Sequence, residues 1–205
     1  YMIIIGITGS IGMGKSTIAS MLKRLSIPIH DSDKVVKLLI EKNVLIKDKI
    51  KKKWPSCIIY NKKKEKINKE ELSKIIFNNN KEKKELENLI HPYVVENRNS
   101  FIKKNKNKMI IGIDVPLLYE TRTDKICNFI FLAYASKEVQ KNRVLKRKNM
   151  NIEKFNKINN NQLSNIEKKK KNPIVIPTGY GKIITFVTVI LNLSWIIIKT
   201  KSIKI

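Results

Sequence analysis

Cysteine is scarce in this 205-residue chain, which contains only Cys57 and Cys127. The two residues lie far apart without a Cys-x-x-Cys spacing, and the only histidines available as co-ligands are His30 and His91. A structural zinc site needs four suitably spaced ligands, and a disulfide framework needs several cysteines at close spacings. The sequence therefore predicts neither kind of site, which agrees with a reducing compartment.

The chain also lacks the usual signs of export and membrane insertion. Its first residues form a short apolar run without a basic leader or a small-residue cleavage site, so they predict a strand rather than a secretion signal. The apolar stretch 183–198 is interrupted by polar residues and is shorter than the ~20 apolar residues that span a bilayer. We expect a buried or half-buried closing helix there, with a membrane anchor as the alternative, and a cytoplasmic protein.

Acidic residues are few, because 17 Asp and Glu stand against 43 Lys and Arg, a formal net charge of +26. Such a field attracts any polyanion, so a nucleic-acid-binding protein is one hypothesis. However, the lysines are spread through the chain together with many Asn and Ile, and no aromatic stacking pattern accompanies them. We therefore attribute the charge to composition, and we expect nucleotides and phosphates as ligands, no specific nucleic acid and no membrane partner.

Short apolar runs predict buried strands over residues 2–7, 27–30, 109–114, 126–134 and 174–176. Longer helical stretches separate them, a pattern typical of an α/β protein with a parallel sheet. Residues 34–108 have a helical, strand-poor pattern that indicates an inserted subdomain. Residues 137–171 are helical, polar and poor in side chains that could anchor them in a core, which predicts a mobile cover over the site.

The strongest motif directly follows the first predicted strand. Residues 9–16 satisfy G-x-x-x-x-G-K-[ST] and precede a predicted helix over residues 16–25. Glycines let the backbone curl so that its N–H groups face phosphate oxygens, and the helix N-terminus adds partial positive charge. Lys15 is expected to reach the β- and γ-phosphates of ATP, and the Ser16 hydroxyl to ligate Mg²⁺. The predicted ATP-binding residues of this loop are Gly9, Ser10, Ile11, Gly12, Met13, Gly14, Lys15, Ser16 and Thr17.

Acidic residues stand where two predicted strands end. Asp31 and Asp33 follow the second predicted strand, and Asp114 ends the third. Ligands of open parallel sheets bind beyond the carboxyl ends of the strands, so we expect one carboxylate to accept the proton of an attacking hydroxyl. We assign catalysis to Asp33 with Lys15 and Asp31, and the Mg²⁺ shell to Asp114 with Ser16, directly or through water. For Asp31 and Asp33, capping of the next helix is the alternative.

Arginine is rare, with five residues against many lysines. Arg143 and Arg147 lie four residues apart on one face of a predicted lid helix. Because a guanidinium group binds phosphate through two parallel hydrogen bonds, we predict that both contact ATP when the lid closes. A solvated helix face is the alternative. The lone pair His91-Pro92 is by itself more typical of a structural turn than of a ligand.

Together these elements resemble the dephospho-coenzyme A kinase family. The match covers roughly residues 2–190 and keeps the order and spacing of the family. It is carried by residues 7–17, Asp31-Ser32-Asp33, Leu89-Ile90-His91-Pro92, Asp114-Val115-Pro116-Leu117-Leu118-Tyr119-Glu120, and Gln140 with Arg143 and Arg147. Ile176-Pro177-Thr178-Gly179 is similar to a late loop of the family near the adenine.

The resemblance implies transfer of the ATP γ-phosphate to the 3′-hydroxyl of dephospho-coenzyme A, the last step of coenzyme A biosynthesis, with Asp33 activating that hydroxyl. It also implies a five-stranded parallel sheet of the nucleoside-monophosphate-kinase type flanked by helices. The nucleotide-binding core would comprise residues 1–33, 109–136 and 172–205, the acceptor-binding subdomain residues 34–108, and the lid residues 137–171. The implied acceptor-binding residues are Thr8, Asp33, His91, Pro92, Asp114 and Leu117.

Two residues depart from the family pattern in ways that carry an expected consequence. Met13 replaces a small residue and is expected to alter the fit over the phosphates, and Lys69 stands where an Arg is common and lacks its fork. The alternatives to this family are another small-molecule kinase of the same fold, acting on a nucleoside monophosphate or a sugar, and a GTP switch protein. No Asn-Lys-x-Asp guanine-specificity element occurs in the sequence, which argues against the switch protein.

Overall fold

The computed structural model describes residues 2–61, 64–148 and 150–202, without the side chains of Asn61, Lys64 and Asn78. The strands are β1 (Ile3–Thr8), β2 (Ile29–Asp31), β3 (Ile58–Asn61), β4 (Lys64–Ile67), β5 (Ile110–Asp114), β6 (Phe129–Tyr134) and β7 (Ile174–Pro177). The helices are α1 (Lys15–Arg24), α2 (Ser32–Lys42), α3 (Val44–Lys53), α4 (Lys69–Asn78), α5 (Asn80–Lys104), α6 (Lys137–Leu145), α7 (Ile152–Asn160), α8 (Asn165–Lys169) and α9 (Lys182–Ser202).

The chain divides into two compact units. The first contains residues 1–30 and 105–205, and the second contains residues 31–104.

The first unit is built on a five-stranded sheet in the order β2-β5-β1-β6-β7. Strand β1 pairs in parallel with β5 on one side and β6 on the other, and β6 pairs in parallel with β7. The central strands are continuous apolar runs because helices cover parallel sheets on both faces. The predicted five-stranded parallel sheet flanked by helices is confirmed, with strand boundaries that differ by a few residues.

The main core lies between this sheet and the helices α1 and α9. Alternate residues of β1 point into it, since successive side chains of a strand face opposite sides. Helix α1 contributes the buried side chains of Ile18, Met21 and Leu22 at helical spacing. Helix α9 contributes those of Val189, Leu193 and Ile196.

Helix α9 closes the first unit with one face in the core, but most of its residues are exposed, so it is less buried than the apolar stretch 183–198 predicts. It is 21 residues long, more than the estimate from that stretch, because its polar residues continue the helix. Thr185, Thr188 and Asn192 bond to carbonyls one turn earlier, which satisfies their side chains without interrupting it. By length and composition, α9 is long and apolar enough to cross a membrane.

The second unit packs α2, α3, α4 and α5 around a core of its own that includes Ile46, Ile50, Trp54 and Cys57. Asn side chains cap two of its helices, since Asn43 accepts from the N–H of Ile46 and Asn68 from those of Glu70 and Glu71.

The unit also contains an antiparallel hairpin of β3 and β4 that the strand-poor pattern did not predict. Lys and Glu alternate with few apolar residues in β4, so the hairpin has no apolar signature in the sequence.

The interpretation of His91-Pro92 as a turn is wrong, because α5 runs through both residues. Proline removes one backbone hydrogen bond from a helix and disturbs the preceding turn. The buried side chains of Leu86 and Ile90 hold this part of α5 in the second core, and that packing maintains the helix across Pro92.

Candidate active site

The phosphate loop runs from the end of β1 to the start of α1, the context that its motif requires. Gly12 and Gly14 have φ angles of 80° and 89°, in the left-handed region that favours glycine. A Cβ atom on Gly12 would lie 2.6 Å from Val144 Cγ2, and one on Gly14 would lie 2.7 Å from Thr178 Oγ1. Both conformation and space therefore require glycine at these two positions.

Two side chains and one backbone N–H group from other parts of the first unit hold the loop in shape. Thr178 Oγ1, just after β7, donates to Met13 O at 2.6 Å, and Gln140 Nε2 on α6 donates to Ile11 O at 2.8 Å. The N–H of Ala135, just after β6, donates to the sulfur of Met13 at 3.2 Å. Two of these bonds fix loop carbonyls and the third fixes the Met13 side chain, and other backbone N–H groups of the loop can then face an anion.

The Met13 side chain does not lie over the phosphate site, where its size was expected to matter. Its side chain is 2% exposed and belongs to the main core, so it packs beneath the loop instead of over the phosphates. The expectation that Met13 alters the fit over the phosphates is therefore wrong. The sequence shows the size of a side chain but not its direction from a loop with two left-handed residues.

Lys15 and Asp114 meet in the first unit. Lys15 begins α1 and Asp114 ends β5, and the Lys15 Nζ atom lies 2.5 Å from Asp114 Oδ1. The carboxylate is almost completely buried, so little water competes for the ammonium group. Ser16 follows Lys15 in the first turn of α1 and is exposed. The geometry thus places an ammonium group, a carboxylate and a hydroxyl at the phosphate-binding end of α1.

The turn after β5 is tied to the end of β1. Thr8 is fully buried, and its hydroxyl donates to Pro116 O at 3.1 Å. Leu117 is half-buried and its carbonyl accepts from Thr121 Oγ1 at 2.8 Å. In this arrangement the Thr8 hydroxyl is committed to the protein, so its influence on a ligand passes through the position of Asp114 and the turn that follows.

The two predicted lid arginines have different surroundings. Arg143 on α6 donates from Nη2 to Thr178 O at 2.6 Å and from Nη1 to Thr178 Oγ1 at 3.2 Å. Arg143 therefore binds Thr178 in the loop after β7, and Thr178 is also the residue that donates to Met13 O. Arg147 lies beyond the end of α6 and is exposed.

The segment between α7 and α8 and the first residue of α8 contact the phosphate loop through residues that the sequence did not predict. Gln162 Oε1 accepts from the N–H of Ile11 at 3.0 Å, and Ser10 Oγ donates to Asn165 Oδ1 at 3.0 Å. The N–H of Leu163 donates to Glu120 Oε1 at 2.8 Å. Asn is common in the neighbouring lysine-rich sequence, and although Gln162 is one of only two glutamines in the chain, no motif marks either residue.

Lys168 on α8 is also more firmly held than a polar cover predicts. Its side chain is 0% exposed, and its Nζ atom lies 3.9 Å from Glu120 Oε1. Burial lowers the pKa of Lys168, and the Glu120 carboxylate opposes that shift. Burial also raises the pKa of the neighbouring Tyr119 to about 12. The expectation that residues 137–171 have few anchors is therefore wrong for α8.

The remaining predicted site residues belong to the second unit. Asp31 caps α2 by accepting from the N–H of Lys34 at 3.0 Å, which supports the capping alternative for this residue. Asp33 lies in the first turn of α2, and His91 and Pro92 are exposed on α5.

A cavity of about 580 Å³ opens on the second unit. Lysines from α2, α3, β4 and α4 contribute to its wall: Lys42, Lys47, Lys66 and Lys69. Lys69 pairs with Glu41 on the same wall, which lowers the pKa of that carboxyl. The cavity is therefore basic but not uniformly so.

Comparison with known proteins gives a consistent result. Residues 3–180 match the family model described as CoaE, dephospho-CoA kinase. A dephospho-CoA kinase of Nitrobacter winogradskyi is 31% identical over 182 residues, which cover 88% of this chain and 88% of that protein. One of Fusobacterium nucleatum is 36% identical over 188 residues, covering 84% of this chain and 88% of that protein.

Solved structures agree in fold. A crystal structure from Thermus thermophilus matches with a TM-score of 0.79 at 24% identity, covering 94% of this chain and 96% of that one. The dephospho-CoA kinase from Campylobacter jejuni matches with a TM-score of 0.64 at 23% identity and the same coverages.

Proposed function

This chain belongs to the dephospho-coenzyme A kinase family, and from that premise we propose which of its residues carry the reaction. The activity is that of an ATP-dependent kinase that makes coenzyme A from dephospho-coenzyme A in the last step of coenzyme A biosynthesis. The observation that carries our assignment is the phosphate loop with Lys15 held 2.5 Å from Asp114. We place the reaction in the cytoplasm.

The phosphate loop binds the triphosphate of ATP through its backbone N–H groups and the N-terminus of α1. Lys15 stabilises the negative charge on the transferring phosphoryl group, and Asp114 orients the ammonium group until the nucleotide arrives. Arg143 positions the loop after β7 through Thr178. Arg147 is exposed and therefore available to an ATP phosphate.

The donor set fits Mg²⁺. Within the part of the chain that the structure describes, no three His, Cys, Asp or Glu residues group to form a metal cage. Mg²⁺ needs no such cage, since it keeps several waters and is usually held by one or two carboxylates plus substrate phosphates. Ser16 and Asp114 would hold it, directly or through water, and the ion would neutralise charge between the β- and γ-phosphates.

Asp33 acts as the base toward the acceptor. As the 3′-hydroxyl oxygen bonds to the γ-phosphorus and the bond to the leaving ADP oxygen breaks, Asp33 accepts the hydroxyl proton. Asp31 supports it from the preceding position, where it also caps α2 and so fixes the turn in which Asp33 lies.

The second unit binds the acceptor, and its size supports a large one. A helical unit of this length exceeds what a small sugar requires, whereas a nucleotide with a pantetheine arm has surface to fill it. The basic cavity on this unit offers ammonium groups for the acceptor's diphosphate. His91 and Pro92 contribute from the exposed face of α5.

The decisive experiment measures ADP formation from ATP and Mg²⁺ with dephospho-coenzyme A, AMP, gluconate or shikimate as acceptor. We expect dephospho-coenzyme A to exceed the others by at least ~100-fold in kcat/KM, which corresponds to ~2.7 kcal/mol of differential transition-state binding. Comparable rates with AMP would move the assignment to a nucleoside-monophosphate kinase.

Variants separate the roles of the site residues. Lys15→Ala should remove most turnover from a folded protein, whereas Lys23→Ala at the exposed end of the same helix should retain it. Asp33→Asn should lower kcat strongly with little change in ATP affinity, and Asp31→Asn should raise the Mg²⁺ requirement. Asp48→Asn on α3 serves as the exposed control. Exchanged phenotypes for Asp31 and Asp33 would reverse their roles.

A further inference from the structure

Helix α9 has apolar residues on both faces. Its inner face belongs to the main core, where Val189 and Ile196 are fully buried and Leu193 nearly so. Its outer face exposes five large apolar side chains to between 46% and 66%. We call these residues the α9 stripe: Ile184, Val187, Leu191, Trp195 and Ile198. Their spacing of three, four, four and three residues places them on one side of the helix.

The exposed apolar side chains of the stripe are contiguous along the helix and are not scattered singly. Soluble monomers scatter single apolar residues and rarely expose contiguous apolar patches beyond a few hundred Å². Here five large side chains adjoin along four turns of one helix. Such a patch marks a contact surface.

A helix that spans the bilayer does not explain the stripe. The length and composition of α9 would allow it to span, but its inner face would then have to leave the core. Val189, Leu193 and Ile196 pack there with α1 and the central sheet, so extraction would expose the core of the catalytic unit. The stripe is therefore available to a partner only as a surface of the folded protein.

The charges around the stripe identify the partner. Lys182 stands at the start of α9, and Lys199 and Lys201 stand in its last turn. The sequence after Glu167 contains no Asp or Glu, and the whole chain carries a formal net charge of +26. An apolar face with lysines at both ends of its helix, and no acidic residue in that helix, matches a surface that is apolar inside and anionic outside.

Trp195 strengthens this match. Its ring packs edge to face on Phe129 with 6.0 Å between centroids, and Lys199 Nζ lies 4.7 Å from its centroid. A half-exposed indole with an ammonium group beside it suits the boundary between headgroups and acyl chains, where aromatic side chains and lysines concentrate.

We propose that the α9 stripe docks this kinase on the surface of an anionic lipid bilayer, with the helix lying in the plane of the headgroups. The lysines at the two ends of α9 bind lipid phosphates, and the inner face stays in the core. A second copy of the chain is the weaker occupant, because two chains of the same high positive charge repel each other. The stripe therefore revises the expectation of no membrane partner. Since α9 begins beyond the family match at residues 3–180, docking uses other residues than catalysis.

The test is flotation of the full chain with two kinds of vesicle. One kind is pure phosphatidylcholine, and the other contains phosphatidylglycerol in addition. We expect binding to the anionic vesicles, weakened by added salt, and at least ~10-fold less partitioning onto the neutral ones. The double variant Leu191→Gln and Ile198→Gln should lose the binding by about 10-fold while kinase activity stays at the level of the parent chain.

Matched controls decide the origin of the binding. Val44→Gln with Leu45→Gln changes two side chains of similar exposure on α3 and should bind vesicles like the parent chain. Equal loss in this control, or equal binding to neutral vesicles, would overturn the proposal. A dimer in lipid-free solution that the stripe variant dissociates would assign the stripe to a second copy instead. Resistance of the bound protein to alkaline carbonate extraction would show insertion and refute a surface contact.

Discussion

The hydroxyl of Thr178 offers the sharpest test of how the phosphate loop is held. Thr178 is buried, and its Oγ1 atom donates to Met13 O at 2.6 Å, lies 3.2 Å from Tyr134 O and accepts from Arg143 at 3.2 Å. Thr178→Val keeps the shape of the side chain but removes this junction. Tyr134 O retains the backbone N–H of Thr178 at 2.8 Å, whereas Met13 O loses its donor.

The expected loss of stability follows from that count. A buried carbonyl left without a donor costs ~1–3 kcal/mol, and Arg143 is exposed enough for water to replace its lost acceptor. A methyl carbon also needs ~3.3 Å from a carbonyl oxygen, so the loop must shift by several tenths of an ångström. We therefore expect ~2 kcal/mol lower stability and ATP binding weakened by about 3- to 10-fold.

Denaturant unfolding and ATP titration measure the two effects. Thr188→Val is the matched control, because its hydroxyl donates only to Ile184 O within the same helix, and it should change stability by no more than ~0.5 kcal/mol. A Thr178→Val protein with the stability and ATP affinity of the parent chain would refute the idea that this hydroxyl shapes the loop.

Two further predictions concern Gly14 and Lys168. Gly14→Ala should abolish detectable ATP binding, because the new Cβ atom meets Thr178 and φ is 89°, whereas Gly181→Ala, with φ of 98° and open space around it, should keep ATP binding; equal binding by both would contradict the crowding argument. For Lys168, burial lowers the pKa in the folded state. Between that lowered pKa and the ordinary value of about 10.5, the unfolded chain binds more protons than the folded one. The free energy of unfolding should therefore rise with pH through this window, by at most ~1.4 kcal/mol per pH unit. Denaturation across this window should show a flatter dependence of the free energy of unfolding on pH for Lys168→Met than for the parent chain, and an unchanged dependence for the exposed Lys170→Met. The same dependence in the parent chain and both variants would show that Lys168 is not desolvated.

The sheet and the phosphate loop were predictable because both leave a local signature. Buried parallel strands are continuous apolar runs, and the loop motif fixes its own backbone through glycines at set positions. The β3–β4 hairpin leaves no such signature, since its pairing depends on partners along the backbone rather than on apolar periodicity.

The contacts around the loop were not predictable, because they join residues far apart in sequence. Gln162 and Asn165 bond to residues about 150 positions earlier, and no sequence motif marks either of them. The burial of the Met13 side chain in the core and the burial of Lys168 were unpredictable for the same reason, because both depend on packing against elements distant in sequence. The assignments of Asp33 and His91 to the acceptor remain predictions.

The Met13 sulfur, which accepts a hydrogen bond from the N–H of Ala135, makes the phosphate loop sensitive to oxidation. Conversion of a methionine to its sulfoxide turns an apolar, flexible side chain into a polar one, which the core beneath the loop cannot accept. At 2% exposure, Met13 meets peroxide only when the loop opens, whereas Met109 is 56% exposed and reacts from the folded state. A bound nucleotide holds the loop closed, so peptide mass spectrometry should find ATP slowing sulfoxide formation at Met13 and not at Met109. We therefore expect the supply of nucleotide to determine how long the kinase stays active in the presence of an oxidant.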